Sequence, residues 1–298
     1  MRYLYYPGCS LRSTGRAYEK SLLALFQALD IPLQELDDWN CCGATAYMAV
    51  DEEKAMALAA RNLSLAERQS GNGDTQLIAP CSACFLVLTK TDRYMREKPE
   101  VRQVVSRALE AAGHSYSGTV TPRHPLDILV NEIGVDAIAK KVKSKLGHLK
   151  VACYYGCQIV RPFATFDDPH EPTSFEKLMR AIGAEPVDWP LKTRCCGASL
   201  MGTIHAVGIE MSYSIVKEAR RRGANCIVTT CPLCQLNLEA FQGEMNKQFD
   251  DNLRVPVAYF TQLVGLALGI PVEKLGFKQT IIPPPLKGAV EGGEPSRV

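Results

Sequence analysis

Apolar and polar positions follow two rhythms along this chain. Short, uninterrupted apolar runs at Tyr3–Tyr6, Leu77–Ala79, Val151–Tyr155 and Ile227–Thr229 predict buried strands, since a strand covered on both faces needs no polar alternation. Between them, helical periodicity covers Tyr18–Leu29, with Leu22, Leu25, Phe26 and Leu29 on one face. The same period recurs in Glu52–Arg68, Ser174–Ile182, Val207–Arg222 and Cys234–Phe249. Alternation of strand and helix predicts an α/β fold with short, mostly parallel sheets and covering helices.

The pattern is written twice. Tyr6-Pro7-Gly8-Cys9 matches Tyr154-Tyr155-Gly156-Cys157, and Asp38-Trp39 matches Asp188-Trp189. Cys42-Gly43-Ala44-Thr45 matches Cys196-Gly197-Ala198-Ser199. The apolar runs ending at Pro80 and Thr230 each lead into a Cys-x-x-Cys, and Pro125 and Pro256 each open an amphipathic segment. The order of these matches predicts a tandem duplication of two similar α/β domains, each of roughly 150 residues, an ordinary domain size. The expected division is 1–147, 148–280, and an extended or disordered tail over 281–298 that holds Pro283-Pro284-Pro285. Near the junction, Ile133–Gly147 is rich in lysine (Lys140, Lys141, Lys143, Lys145) and reads as a solvated helical connector.

Composition narrows the class. With 298 residues, 46% of them hydrophobic, the chain can bury two ordinary cores. A net charge of +2 gives no reason to expect a nucleic acid or an acidic surface as partner. The start, Met1 to Pro7, is too short and polar for an export signal, so a reducing cytoplasm is expected. Val255–Val272 carries no charge, but Pro256 and Pro271 bracket it. The helix between those prolines would span roughly 20 Å, short of a ~30 Å hydrocarbon core, so it reads as a buried helix. Membrane association is therefore not the favoured reading.

Clustered thiols in a reducing compartment point to metal or redox chemistry. Ten of the twelve cysteines belong to the repeat: Cys9, Cys41, Cys42, Cys81 and Cys84 in one copy, and Cys157, Cys195, Cys196, Cys231 and Cys234 in the other. Five thiols per copy is one more than a tetrahedral zinc site or a four-cysteine iron–sulfur cluster needs. Cys153 also precedes the second set, but only Cys157 aligns with Cys9; Cys153 and Cys226 read as small buried hydrophobes.

The doubled Cys…Cys-Cys-Gly…Cys-x-x-Cys motif resembles that of the heterodisulfide reductase B-subunit family, over nearly the whole chain to about residue 275. The resemblance implies an oxidoreductase subunit in which each five-cysteine set binds a non-cubane [4Fe-4S] cluster where a disulfide is cleaved or formed. It also implies a cytoplasmic multi-subunit complex, with a ferredoxin-like iron–sulfur subunit and a flavoprotein. Methanogen members of that family reduce the mixed disulfide of coenzymes M and B, and related subunits occur in sulfur-oxidising and quinone-linked complexes.

The residues are compatible with this. Disulfide reduction needs two electrons, whereas iron–sulfur centres deliver one at a time, so a two-fold repeat with a thiol or disulfide substrate between the sets suits it. Electrons are expected from a partner, because no G-x-G-x-x-G follows a strand and no ferredoxin-type cysteine run is present. His124 and His205 are candidate proton donors to departing thiolates. Arg12, Arg16, Arg161, Lys192 and Arg194 are candidates for an anionic substrate tail. Trp39 and Trp189 are expected to pack over the clusters, and Gly43 and Gly197 to allow a tight turn. Two other readings stand beside this one: an electron-transfer subunit of a succinate- or fumarate-linked quinone oxidoreductase, and a scaffold with zinc at one or both sites.

Overall fold

The computed structural model describes residues 3–71 and 73–286. It contains two four-stranded sheets of the same design. The first is built from β1 (Tyr3–Tyr5), β2 (Leu33–Glu35), β3 (Thr75–Ile78) and β4 (Val120–Arg123), in the order β2-β1-β3-β4. The second is built from β5 (Lys150–Tyr154), β6 (Glu185–Pro186), β7 (Cys226–Thr229) and β8 (Val257–Tyr259), in the order β6-β5-β7-β8. Every strand pair is parallel. Parallel neighbours require crossovers, and helices such as Arg16–Ala28, Glu52–Gln69 and His205–Arg221 supply them. In this strand order the chain switches direction between β1 and β3, and again between β5 and β7. A crevice opens beyond the carboxyl ends of strands at such a point.

The four predicted strands are present, each within two residues of the expected bounds. β2, β4, β6 and β8 carry no comparable apolar run: β2 is Leu-Gln-Glu and β6 is Glu-Pro, both at sheet edges. The helix expected over Cys234–Phe249 is two helices, Pro232–Ala240 and Gln242–Phe249, interrupted at Phe241. The segment Val255–Val272 is not one helix either. Its first part pairs with β7 as β8, and the helix proper is only Phe260–Ala267, started where the Tyr259 amide donates to Gln262 Oε1 at 2.9 Å. No helix among the described residues is long and apolar enough to cross a membrane. The lysine-rich stretch begins in a π-helical turn (Ile128–Gly134) and helix Val135–Lys140, with its four lysines exposed and Ile138 buried. Residues 281–286 have no regular secondary structure; 287–298, the rest of the expected tail, lie outside the described residues.

One contiguous apolar core runs through both repeats, with a small satellite around Met56, Met95 and Leu109. The reason lies in helix Arg16–Ala28. It buries Tyr18, Leu22, Leu25 and Phe26, each such side chain giving roughly 1.5–3 kcal/mol, and it does so against helix Phe260–Ala267 of the second repeat. Tyr18 stacks on Tyr259 with ring centroids 4.5 Å apart, and the Ser21 and Thr261 hydroxyls hydrogen-bond at 2.6 Å. Close backbone approach completes the seam. Gly276 has φ +73°, and a Cβ there would stand 2.7 Å from the Ala17 Cα. Gly276→Ala is expected to destabilise the protein by about 3 kcal/mol, the sum of left-handed strain and overpacking, as read from urea denaturation. Gly113, at φ +74° with open space around it, is the control: Gly113→Ala should cost only about 1 kcal/mol.

Candidate metal centre

The cysteines gather at the two switch points. Cys9 follows β1 and Cys81 follows β3; Cys157 follows β5 and Cys231 follows β7. Cys81 and Cys231 each cap a helix, Ser82–Glu97 and Pro232–Ala240, whose first turns carry Cys84 and Cys234. The positive end of the helix dipole thus faces the thiols and favours thiolate.

Two glycines set the spacing. Gly8 and Gly156 both have φ +68°, and a Cβ on them would stand 3.1 Å from Cys84 Sγ and 3.3 Å from Cys234 Sγ. A second pair, Gly43 (φ +75°) and Gly197 (φ +92°), turns the chain after each Cys-Cys against Ala55 and Gly208. Two buried tyrosines then anchor the loops: the Tyr6 hydroxyl donates to Asn40 O at 2.8 Å, and the Tyr154 hydroxyl to Arg194 O at 2.6 Å. Each accepting carbonyl belongs to the residue just before a Cys-Cys pair. In the second copy Ser212 Oγ donates to Cys196 O at 2.8 Å and Asn237 Nδ2 to Ala198 O at 3.0 Å. Sequence reasoning missed these supports, although the repeated Tyr-x-Gly-Cys was their visible trace.

All ten repeat cysteines are free thiols in contact with others of their set. Cys42 Sγ lies 3.2 Å from Cys84 Sγ, Cys41 Sγ 3.9 Å from Cys9 Sγ, and Cys196 Sγ 3.5 Å from Cys234 Sγ. Cys157 and Cys195 shift each other's ionisation, as do Cys231 and Cys234. Cys9 and Cys41 are exposed and Cys157 and Cys195 half-buried, whereas the other six are buried. Each set therefore has a buried floor and an open mouth. The two floors adjoin: the hydroxyls of Ser82 and Thr230, the residues beside Cys81 and Cys231, hydrogen-bond at 3.2 Å, and each of those thiols shifts the other's ionisation. Ser82 of the first repeat lines the cleft formed by Cys157, Cys195, Cys196, Cys231 and Cys234.

At the mouth of each set the thiols shift alike, Cys41 and Cys195 down and Cys9 and Cys157 up, whereas Cys81 and Cys231 at the junction shift in opposite directions. Hydrogen bonds from Cys42 and then Cys9 lower Cys41, and the bond from Cys157 lowers Cys195 to about 6. The hydrogen bonds given to Cys41 and Cys195, followed by burial, push Cys9 and Cys157 up. At the junction the shared contact raises Cys81, while Cys231 is lowered by Cys234 first and by Cys81 next. The leading influences on these thiols are neighbouring thiols and burial. Among the described residues no three His, Cys, Asp or Glu side chains converge on a point as they would around one ion; the sulfurs pair at contact distance instead. The donor set fits a metal–sulfur group: five soft sulfur ligands per copy, two buried glycine turns to admit it, and no competing carboxylate.

Other candidates are placed elsewhere. His124 is fully buried, and burial lowers its pKa to about 4. Its Nδ1 accepts from the Leu126 amide at 3.1 Å and its Nε2 lies 2.9 Å from Pro80 O, so neither nitrogen is available to a departing thiolate. His205 is a surface residue, tied to Met201 O at 2.8 Å and Glu244 Oε1 at 2.7 Å. Its pKa is raised by the Met201 carbonyl and then by Glu244. Trp39 and Trp189 pack against Tyr6 and Tyr154, behind the cysteine loops, and the Trp189 indole donates to Cys153 O at 3.1 Å. Arg12 pairs with Glu19 and Glu35, Lys192 with Glu171 and Glu176, and Arg161 with Thr193 O. Arg16 and Arg194 are exposed and form no ion pair among the described residues. Cys153 and Cys226 are buried apart from the sets, as expected.

Fold and site together define a tandem cysteine-rich-domain protein: the cysteine-rich (CCG) domain family matches residues 3–89 and 151–239, and the chain belongs to it. It is 34% identical over 282 residues to the 8-methylmenaquinol:fumarate reductase membrane anchor subunit of Wolinella succinogenes, covering 94% of this chain and 96% of that protein. It is 30% identical to the B-subunit of the ferredoxin/F(420)H(2)-dependent CoB-CoM heterodisulfide reductase of Methanosarcina acetivorans, covering 93% and 92%. A hypothetical protein from Helicobacter pylori has the same fold at a TM-score of 0.76 and 13% identity; the match covers 94% of this chain and 52% of that one. Both named relatives are subunits of reductase complexes.

One buried acid behind the second set gives a pH test. Glu239 has no cation partner among the described residues; Gln235 Nε2 donates to it at 2.5 Å and the Ile282 amide at 3.1 Å, and burial raises its pKa to about 7. The native state thus holds this proton more tightly than the unfolded chain, where the carboxyl titrates near 4.5. Its contribution is complete below about pH 4.5 and is lost as pH rises through 7. Between pH 5 and 8 the protein should lose about 2 kcal/mol of stability that Glu239→Gln does not lose, measured by denaturant midpoints.

Proposed function

We propose that this chain is the iron–sulfur subunit of a multi-subunit reductase, in which the two five-cysteine sets hold two [4Fe-4S]-type clusters and jointly handle one disulfide. The observation that carries the proposal is the repeated quintet of thiols, gathered with most of its sulfurs buried at the ends of parallel strands. Buried thiolates are costly without positive charge, and a metal–sulfur group is what offsets that cost. When bound, such clusters supply electrons singly to a disulfide and hold its sulfurs. The chain's own residues do the rest. The open mouths at Cys9–Cys41 and Cys157–Cys195 admit a small thiol, the buried floors exclude water, and Tyr6 and Tyr154 fix the loops. Electrons come from a ferredoxin-like iron–sulfur subunit and a flavoprotein of the same complex.

A second reading is favoured by specific observations: electron exchange with a quinone. The Wolinella relative is named for 8-methylmenaquinol and for a membrane anchor. Val50 and Ile204, 81% and 57% exposed, stand at corresponding positions, eight residues after Cys42 and Cys196, as an apolar pair a lipid surface would cover.

Anaerobically purified protein is expected to carry roughly eight iron and eight acid-labile sulfide per chain, falling by about half in Cys84→Ser and by about half in Cys234→Ser, as read by iron analysis and EPR. Zinc in place of iron would contradict the proposal. Viologen-reduced protein should be reoxidised by low-molecular-mass disulfides at least tenfold faster than by a water-soluble menaquinone analogue, about 1.4 kcal/mol in barrier. The reverse order supports the quinone reading and overturns the first.

A further inference from the structure

One buried imidazole belongs to neither cysteine set, yet it touches the approach to both. Leu126 N–H donates to His124 Nδ1 at 3.1 Å, so in the neutral ring the proton sits on Nε2. That Nε2–H donates to Pro80 O at 2.9 Å, and the Thr230 carbonyl also acts on the ring. Pro80 and Thr230 are the residues immediately before Cys81 and Cys231. The imidazole thus stands at the seam, bonded to the segment that delivers Cys81 and close to the one that delivers Cys231. The ring has no room to leave. The Phe85 ring of the first repeat stands edge-on at 5.8 Å, and the Phe260 ring of the second at 6.3 Å. A second tie lies beside it, where the Ser82 and Thr230 hydroxyls hydrogen-bond at 3.2 Å.

The repeat does not supply this residue twice. Aligning Pro125 with Pro256 places Val255 opposite His124, so one imidazole serves both halves. Both ring nitrogens of this buried histidine are engaged, so replacing it would leave the Pro80 carbonyl without its donor. We propose that His124 is a positioning residue that fixes the separation and orientation of the two cysteine sets, and so sets the coupling between the groups they hold. This rests on the two-cluster reading above. His124 exchanges no proton with substrate; a shift of about 1 Å in Cys81 against Cys231 changes the fit of any disulfide spanning the two sets.

The test uses His124→Phe, which keeps an aromatic ring without donors, and His124→Gln, whose amide restores an N–H at the reach of Nε2. In the reduced complex, the parent is expected to show EPR spin–spin interaction between the two sets. His124→Phe should retain iron but lose that interaction, and its turnover with cystamine as probe disulfide should fall on the order of tenfold at a KM within about twofold of the parent. His124→Gln should recover both. In cluster-free protein, mild oxidation should yield a Cys81–Cys231 disulfide in the parent and in His124→Gln, and roughly fivefold less of it in His124→Phe, by peptide mapping. The inference is overturned if His124→Phe keeps the parent's interaction and cross-link, or if the Phe and Gln variants behave alike. It is also overturned if the iron-loaded parent shows no interaction. A parent without iron would instead sink the two-cluster reading, and the cross-link alone would then decide the role of His124.

Discussion

The contact on which the cysteine sites depend is between a sulfur and a backbone without a side chain. Gly8 lies under Cys84 and Gly156 under Cys234, at the same left-handed φ and at almost the same distance. Any other residue would strain the backbone and push the sulfur away. This approach draws the loop after the first strand of each repeat onto the start of the Cys-x-x-Cys helix. The buried tyrosine two residues before each glycine then reaches the carbonyl that precedes the Cys-Cys pair. Three segments distant in sequence converge, at the switch point where a parallel sheet leaves a crevice.

Duplication puts two such crevices in one molecule, and the shared core decides how they face. Helix Arg16–Ala28 is as much a part of the second repeat's packing as of its own, through Tyr18 on Tyr259 and Ser21 on Thr261. The floors of the two sites therefore adjoin rather than point apart. That proximity breaks the equivalence of the halves: it raises Cys81 and contributes to lowering Cys231. Trp189 is buried where Trp39 is half-exposed, and only the first repeat carries the histidine at the seam.

Much of this was legible in the sequence because the repeat acted as its own control. Paired motifs identified the ten cysteines, rejected Cys153, and predicted α/β halves with thiols at strand ends. The edge strands β2 and β6 were not legible, since two or three half-polar residues held by one neighbour leave no period to read. The break at Phe241 was hidden because the apolar period continues through it, and β8 because its apolar run continues directly into a buried helix. Side-chain roles were the weakest part. His124, before Pro125, and His205, nine residues after Cys196, read as candidate proton donors because histidine titrates near neutral pH, but one is locked in the seam and the other is paired on the surface. Nothing local in sequence announces that a residue 40 positions after Cys84 and 107 before Cys231 bonds Pro80 and packs between Phe85 and Phe260.

Disulfide and quinone chemistry on this scaffold differ in substrate but share one requirement, that each thiol quintet encloses a metal–sulfur assembly. X-ray absorption at the iron K edge, on protein prepared without oxygen, tests that requirement most directly. The account predicts iron surrounded by sulfur with a clear iron–iron scattering shell, lost in proportion as either quintet is removed. A sulfur shell without metal–metal scattering, or an edge showing that zinc occupies the thiols, would contradict it.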